Sequence, residues 1–147
     1  ASKSKNKIKK SRKVNLDPVT FEVLKNSYIT TVDQMAEQIL RTCYSFVIYN
    51  RDFSSALNDI NGDLIAEGTQ DIAVHVGTLH HSCKAVIDHF GEDINNGDEF
   101  LVNDPYHGGT HFNDVGNKTS IFWKNINLFC SIKWTLGRRW RFRARFV

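Results

Sequence analysis

The segment DPVTFEVLKNSYITTVDQMAEQILRTC, residues 17–43, decides the fold. An aspartate followed by a proline is typical of a helix start, because the carboxylate accepts hydrogen bonds from the first turn and the fixed φ of proline suits it. Apolar residues then recur at steps of three and four, and they form one stripe: Phe21, Leu24, Tyr28, Val32, Met35, Ile39 and Cys43. This spacing predicts a core-facing amphipathic helix from about residue 18 to residue 43.

After this helix the sequence pattern changes to one that is typical of strands. Phe46–Tyr49 is β-branched and aromatic, and residues 51–57 alternate loosely between apolar and polar. Asn61-Gly62 tolerates positive φ at both central positions of a two-residue turn. Leu64–Ala66 is then the returning strand, and we predict a β-hairpin centred on residues 61–62.

The next segments complete the predicted fold class. Residues 71–76 are a candidate short strand, and residues 78–90 have the apolar spacing of a second helix. Residues 95–98 are typical of a turn, and residues 100–102 of a short buried strand. The sequence therefore predicts an α+β domain in which a long N-terminal helix packs on a largely antiparallel sheet.

The charges of the 147-residue chain divide it into three parts. Residues 1–13 carry seven basic side chains and no acid, residues 138–147 carry five arginines and no acid, and all 16 acidic residues lie between them. We predict a disordered basic arm over residues 1–15, because too few apolar side chains are present to offset the ordering entropy. The folded domain is expected over residues 16–133, followed by an Arg/aromatic tail over residues 134–147.

Three further features predict a cytoplasmic protein. No apolar run is long enough to span a membrane, which takes roughly 18 residues or more. The N-terminal lysines are not followed by the apolar region of a secretory signal. Three cysteines without a paired CxxC spacing favour a reducing compartment.

The loop NDPYHGGTHFND, residues 103–114, concentrates the residues that carry chemistry. It holds two aspartates and two histidines, a mixed set of oxygen and nitrogen donors that suits zinc, manganese or ferrous iron. His111 and Asp114 are three residues apart and can face one centre if the loop turns there. An Asp-Pro turn with surface histidines would have the same letters, so the residues alone leave metal binding and a structural turn both open.

Several motifs in order resemble the hydantoinase B/oxoprolinase family from about residue 17 to residue 133. They are DPVTFEV (17–23), LRT (40–42), RDFSSAL (51–57), VHVG (74–77) and NDPYHGGTH (103–111) with Asp114. The resemblance implies a B-type subunit of a two-component, ATP-dependent enzyme. A hydantoinase A-like partner subunit would use the ATP to phosphorylate the substrate, so a hetero-oligomer is expected.

The resemblance also implies the chemistry and the residues of the site. One branch of the family hydrolyses cyclic amides such as hydantoins or 5-oxoproline, and another carboxylates ketones such as acetone or acetophenone. Asp52, His111 and Asp114 are the implied ligands of a divalent metal, either zinc or manganese, with iron as a further option. His75 and Asp104 are candidates for orienting a ligand or moving protons, although His75 also fits a satisfied histidine at a strand end.

The sequence departs from the family beyond Lys133. Family members are several times longer and carry a further histidine in a stretch resembling x-x-A-H-W-x-D-x-G-G, whereas this chain has Leu136 at that point. The tail has three interpretations: a grip on single-stranded nucleic acid, a contact with an anionic membrane surface, or the product of a shifted reading frame. We favour the shifted frame, and we expect the truncated chain to be inactive by itself.

Two functions of other classes remain as alternatives. A basic nucleic-acid-binding protein would use the two cationic ends, and its affinity would fall steeply with salt. It is the weaker hypothesis because the acidic middle of the chain offers no complementary groove. An inactive remnant of an enzyme subunit is the other alternative.

Overall fold

The computed structural model of the protein describes residues 15–75, 77–123 and 126–135. These residues form three α-helices and five strands, joined by short 3-10 turns. The helices are α1 (Pro18–Thr42), α2 (Phe46–Tyr49) and α3 (Leu79–Phe90). The strands are β1 (Phe53–Asp59), β2 (Leu64–Glu67), β3 (Glu99–Val102), β4 (Asp114–Trp123) and β5 (Ile126–Thr135).

Helix α1 confirms the long N-terminal helix. Asp17 caps it by accepting a 3.0 Å hydrogen bond from the Thr20 amide. Its C-terminal half packs on the sheet through the buried Val32 and Ala36. The prediction of a core-facing stripe is wrong for the first turns, where Phe21 is 55% exposed, because the side chains of α1 that pack in the core cluster begin at Tyr28.

The five strands form one antiparallel sheet in the order β2-β1-β5-β4-β3. Strand β5 lies at the centre, between β1 and β4. Because both neighbours run antiparallel to β5, the beginnings of β1 and β4 lie beside the end of β5. The predicted α+β class with an antiparallel sheet is confirmed.

The predicted hairpin joins β1 to β2. Its turn differs in detail from the expected two-residue form: the Asp59 amide donates to the Asp63 carbonyl across three intervening residues. Gly62 has φ 81°, whereas Asn61 does not take a positive φ. The Asp59 carboxylate accepts from the amides of Asn61 and Asp63, both at 2.8 Å, and this cap favours the longer turn.

Helices cover both faces of the sheet. Helix α1 lies against β1 and β2, where Val32, Leu57 and Ala66 form an apolar cluster. Helix α3 lies on the opposite face against β4 and β5. The sheet is therefore the middle of three layers.

Phe46–Tyr49 is a short helix, so the prediction of a strand there is wrong. The amides of Arg51 and Asp52 donate back to the carbonyls of Ile48 and Val47, which satisfies the backbone locally. These local hydrogen bonds outweigh the strand propensity of its side chains.

The predicted strand at residues 71–76 is a 3-10 turn, Ala73–His75. The Asp71 carboxylate accepts a 2.9 Å hydrogen bond from the Ser55 amide, which fixes the start of this turn against β1. The predicted buried strand at residues 100–102 is part of β3, but β3 is an edge strand and Leu101 is 45% exposed.

The two ends of the chain lie mostly outside the described residues. The basic arm lies outside the described residues apart from Asn15, and the tail lies outside them apart from Trp134 and Thr135, the last residues of β5. In the described part of the chain, no helix combines the length and apolar character needed to cross a membrane.

Candidate metal centre

Three strand ends bring the predicted site residues together. Asp52 precedes β1, Asp114 begins β4, and Thr135 ends the central strand β5. The Thr135 hydroxyl lies 3.2 Å from Asp52 Oδ1 and 3.1 Å from Asp114 Oδ1. Two aspartates separated by about sixty positions along the chain therefore contact the same hydroxyl group.

Asp114 is a buried carboxylate, 3% exposed, with a dense set of hydrogen-bond donors. Its Oδ2 accepts from the Thr110 amide at 2.8 Å, the Thr110 hydroxyl at 2.6 Å and the His111 amide at 3.0 Å. Burial alone would raise the pKa of Asp114, but these hydrogen bonds and the Lys133 charge outweigh it and lower the pKa to about 2. Asp114 is therefore ionised at neutral pH.

The loop before Asp114 owes its path to close backbone contacts. Gly108 has φ 91°, and a Cβ there would lie 2.7 Å from the Ser82 amide nitrogen of α3. A Cβ on Gly109 would lie 2.6 Å from the Cα of Pro105. The two glycines therefore let the loop fold back on itself and against α3, which brings His111 beside Asp114.

His111 lies at the rim of this site. Its Nδ1 is 3.8 Å from Asp114 Oδ1 and 3.3 Å from the Thr110 hydroxyl. The imidazole is largely exposed, so it is accessible to a ligand from solvent.

His75 is a buried histidine on the α3 face of the sheet. Its Nδ1 lies 3.1 Å from the Ser54 hydroxyl. Its Nε2 is buried and has no hydrogen-bond partner among the described residues. Burial, and then the nearby Lys133 charge, lower the pKa of His75, so the ring is neutral at neutral pH.

Asp104 is engaged by the turn that contains it. Its carboxylate accepts from the Tyr106 amide at 2.9 Å and contacts His107 Nδ1 at 2.7 Å. The Tyr106 hydrogen bond, and then His107, lower the pKa of Asp104. Its predicted role beside the metal ligands stays a prediction.

Sequence reasoning missed Lys133, which lies at the centre of the site. This lysine is 2% exposed, and its Nζ donates to the Thr78 hydroxyl at 3.1 Å and to the Gly108 carbonyl at 3.2 Å. It also lies 3.4 Å from Asp114 Oδ2. The signal that could have identified it is the alternation of Ser131, Lys133 and Thr135 along one face of a strand.

The donor types of this site suit a divalent cation, although the geometry is open. Within the described ranges, no three His, Cys, Asp or Glu side chains are arranged so that they could hold a metal ion. The single hydroxyl hydrogen of Thr135 can serve only one of the two aspartates. His75 Nε2 is the one side-chain atom of this site that is buried without a hydrogen-bond partner among the described residues.

The structure thus shows an antiparallel sheet between helices, an α+β scaffold with carboxylates and imidazoles gathered at one end of its central strands. The chain belongs to the hydantoinase B/oxoprolinase family, whose profile matches residues 17–135. This match confirms the resemblance that the sequence motifs indicate.

The chain is similar in sequence to proteins whose names state an enzymatic reaction. The chain is 33% identical over 118 residues to the caprolactamase beta subunit of Pseudomonas jessenii, and this alignment covers 80% of the chain and 20% of the subunit. It is 32% identical over 115 residues to 5-oxoprolinase of Dictyostelium discoideum, covering 78% of the chain and 9% of that protein. The chain thus spans a fifth or less of the length of these relatives.

Two solved structures share the fold. The crystal structure of the ATP-dependent caprolactamase from Pseudomonas jessenii superposes with a TM-score of 0.70 at 28% identity, covering 84% of this chain and 21% of that one. The nucleotide-free structure of acetone carboxylase superposes with a TM-score of 0.68 at 22% identity, covering 79% and 16%. The second similarity shows the fold alone.

Proposed function

We propose that this chain is the metal-binding part of a B-type subunit in a two-component, ATP-dependent enzyme that hydrolyses cyclic amides. The observation that carries the proposal is the meeting of Asp52 and Asp114 at one hydroxyl, with His111 beside Asp114. It is supported by the relatives, since caprolactamase and 5-oxoprolinase are both named for cyclic amide substrates.

Asp52, His111 and Asp114 would hold the metal, which can be zinc, manganese or iron. A bound divalent metal lowers the pKa of its water to near 7 and so supplies hydroxide at neutral pH. The residues of this chain keep the site ready for that role. The amides of Thr110 and His111 hold Asp114 ionised, and burial keeps His75 neutral, which is the state that binds metals or accepts a proton.

The partner in this proposal is a hydantoinase A-like ATPase subunit, and the substrate is a small molecule. The caprolactamase relative is itself a beta subunit, which supports a hetero-oligomer. The three cysteines are free in the structure and support a cytoplasmic location.

A ketone carboxylase subunit is the second candidate. The family resemblance includes ketone carboxylases, and acetone carboxylase shares the fold of this chain, a likeness that concerns the fold alone. Activity assays of the assembled enzyme with a lactam and with acetone would separate the two candidates.

Metal binding is tested by equilibrium dialysis of the purified chain with zinc or manganese chloride. We expect about one metal per chain, lost in Asp52→Ala and in His111→Ala and retained in His89→Ala, an exposed histidine on α3. Equal metal content in all four proteins would contradict the proposal.

We also propose that the tail is read in a shifted frame, because its codons can hide the missing family motif. Tryptophan is encoded by a single codon. When the last two bases of this codon at Trp134 are read together with the first base of the threonine codon that follows, the triplet always encodes glycine. One base out of frame, an ACA codon at Thr135 gives histidine, and a TTG or CTG codon at Leu136 gives tryptophan. Trp140 again gives glycine, and ordinary codons for the remaining arginines complete Gly-His-Trp-x-Asp-x-Gly-Gly.

Because the other frame does not read this codon as threonine, the histidine would replace Thr135 at the end of β5, beside Asp52 and Asp114. Sequencing the gene region tests the proposal. We expect codons that restore the motif one base out of frame, and a codon other than ACA at Thr135 would remove the histidine and contradict it.

A further inference from the structure

The buried ammonium of Lys133 lies where a metal would need negative charge. Its Nζ is 3.4 Å from Asp114 Oδ2, and its side chain is 2% exposed. An ammonium group donates hydrogen bonds and has no lone pair with which to bind a metal. Lys133 therefore competes with a cation for Asp114.

We infer that Lys133 sets the affinity of the site for divalent cations, holding it weak by neutralising Asp114 and repelling a second positive charge. This inference rests on the proposed metal site and concerns its strength. Like charges a few ångströms apart repel strongly when both are shielded from water. Because the pair is buried, dissolved salt screens this repulsion much less than it would at the surface.

The surroundings of Lys133 keep its ammonium in place. The Thr78 hydroxyl at 3.1 Å and the Gly108 carbonyl at 3.2 Å accept its other hydrogens. Because these two groups belong to different segments, Lys133 also ties the loop that presents His111 to the start of α3. The side chain therefore cannot leave for solvent without breaking three polar contacts.

Lys133 also limits how Asp114 can bind a metal. Asp114 Oδ2 already accepts from Thr110, from the His111 amide and from Lys133. Among the described residues, its Oδ1 contacts the Thr135 hydroxyl and lies 3.8 Å from the His111 ring. A cation would thus be bound through Oδ1, and removing Lys133 would lift the neutralising charge while Thr110 and His111 still occupy Oδ2.

Two substitutions separate the charge of Lys133 from its structural contacts. Lys133→Gln removes the charge and keeps a hydrogen-bond donor, whereas Lys133→Met removes both. Lys84→Met is the matched control, because Lys84 is a surface lysine that pairs with Asp63 at 2.6 Å. Circular dichroism confirms that each variant is folded before metal is added.

Calorimetric titration with zinc chloride and with manganese chloride gives the dissociation constants. We expect Lys133→Gln and Lys133→Met to bind metal at least about tenfold more tightly than the unsubstituted chain, and Lys84→Met to bind with unchanged affinity. If metal binds the unsubstituted chain and the folded Lys133 variants equally or more weakly, the inference is wrong and the metal site stands. If none of the proteins binds metal, the proposed function is wrong as well.

Discussion

The two faces of the central sheet differ in what they bury. On the α1 face, the cluster of Val32, Leu57 and Ala66 is apolar and is extended by partly buried side chains such as Met35. On the α3 face, the strands present buried polar groups: Ser54, Asn58, Asp114, Lys118, Ser120, Ser131 and Lys133. The α1 face is thus closed mainly by apolar contacts, whereas the α3 face combines apolar side chains such as Phe129 with buried polar groups whose burial is costly.

The buried lysines of the α3 face show how uneven that cost is. Lys133 has three polar contacts, one of them with a carboxylate. Lys118 has none among the described residues and is fully buried. Burial lowers the pKa of Lys118 to about 7. One lysine thus belongs to the site, and the other is a destabilising neighbour.

The largest expected effect tests the apolar face. Leu57→Ala should lower the free energy of unfolding by about 2–5 kcal/mol, because it leaves a cavity in the cluster beneath α1. Urea denaturation followed by circular dichroism measures the change. Val23→Ala on α1 is the control. Because Val23 is 60% exposed, this substitution should change the free energy of unfolding by less than about 0.5 kcal/mol.

A second substitution, on the polar face, should raise the free energy of unfolding rather than lower it. Lys118→Met should raise the free energy of unfolding at pH 7 by about 1–3 kcal/mol, because it replaces an unpaired buried amine with an apolar side chain of similar size. Lys84→Met, at the surface, should not stabilise the protein. A lower free energy of unfolding in Lys118→Met would contradict this prediction and would mean that the Lys118 amine makes a stabilising contact.

The same lysine predicts a dependence on pH. The pKa of Lys118 is about 7 in the folded state and ~10.4 in an unfolded chain, so between these values the unfolded state binds more protons. The contribution of Lys118 to the free energy of unfolding should therefore rise from pH 7 to about pH 10. Denaturation midpoints at pH 7 and pH 9 measure this rise, which should disappear in Lys118→Met and persist in Lys84→Met.

A smaller loss of stability is expected on the polar face when His75 loses its hydrogen-bond partner. Ser54→Ala removes the 3.1 Å partner of His75 Nδ1 and leaves both nitrogens of a buried ring without a partner among the described residues. Stability should fall by about 1–2 kcal/mol. Ser27→Ala, whose exposed hydroxyl donates to the Val23 carbonyl at 2.8 Å, should cost less than about 0.5 kcal/mol.

The difference between the faces also explains what the sequence could predict. The helices α1 and α3 and the hairpin at Gly62 follow from apolar spacing and turn residues, and the structure confirms them. Strands β4 and β5 receive no prediction. Their inward positions include Lys118 and Ser131, so the apolar alternation that marks a half-buried strand is absent.

The candidate site divides in the same way. The spacing of His111 and Asp114 in their loop predicts that they can face one centre, whereas Asp52 is implied by the family resemblance, since no periodicity connects residue 52 with residue 111. The alternation of Ser131, Lys133 and Thr135 indicates a polar strand face, but the register of β5 between β1 and β4 is needed to place Lys133 and Thr135 beside Asp52 and Asp114. Local sequence patterns do not predict contacts that depend on the pairing of strands distant in the chain.

The central claim is that the polar face of the sheet binds a divalent metal at its open end. Crystals of the chain soaked in manganese chloride, measured for anomalous scattering, test it most directly. We expect one strong peak between Asp52, Asp114 and His111, at about 2.0–2.3 Å from their ligand atoms. A well-ordered structure with no peak there, or with the metal bound elsewhere, would contradict the claim.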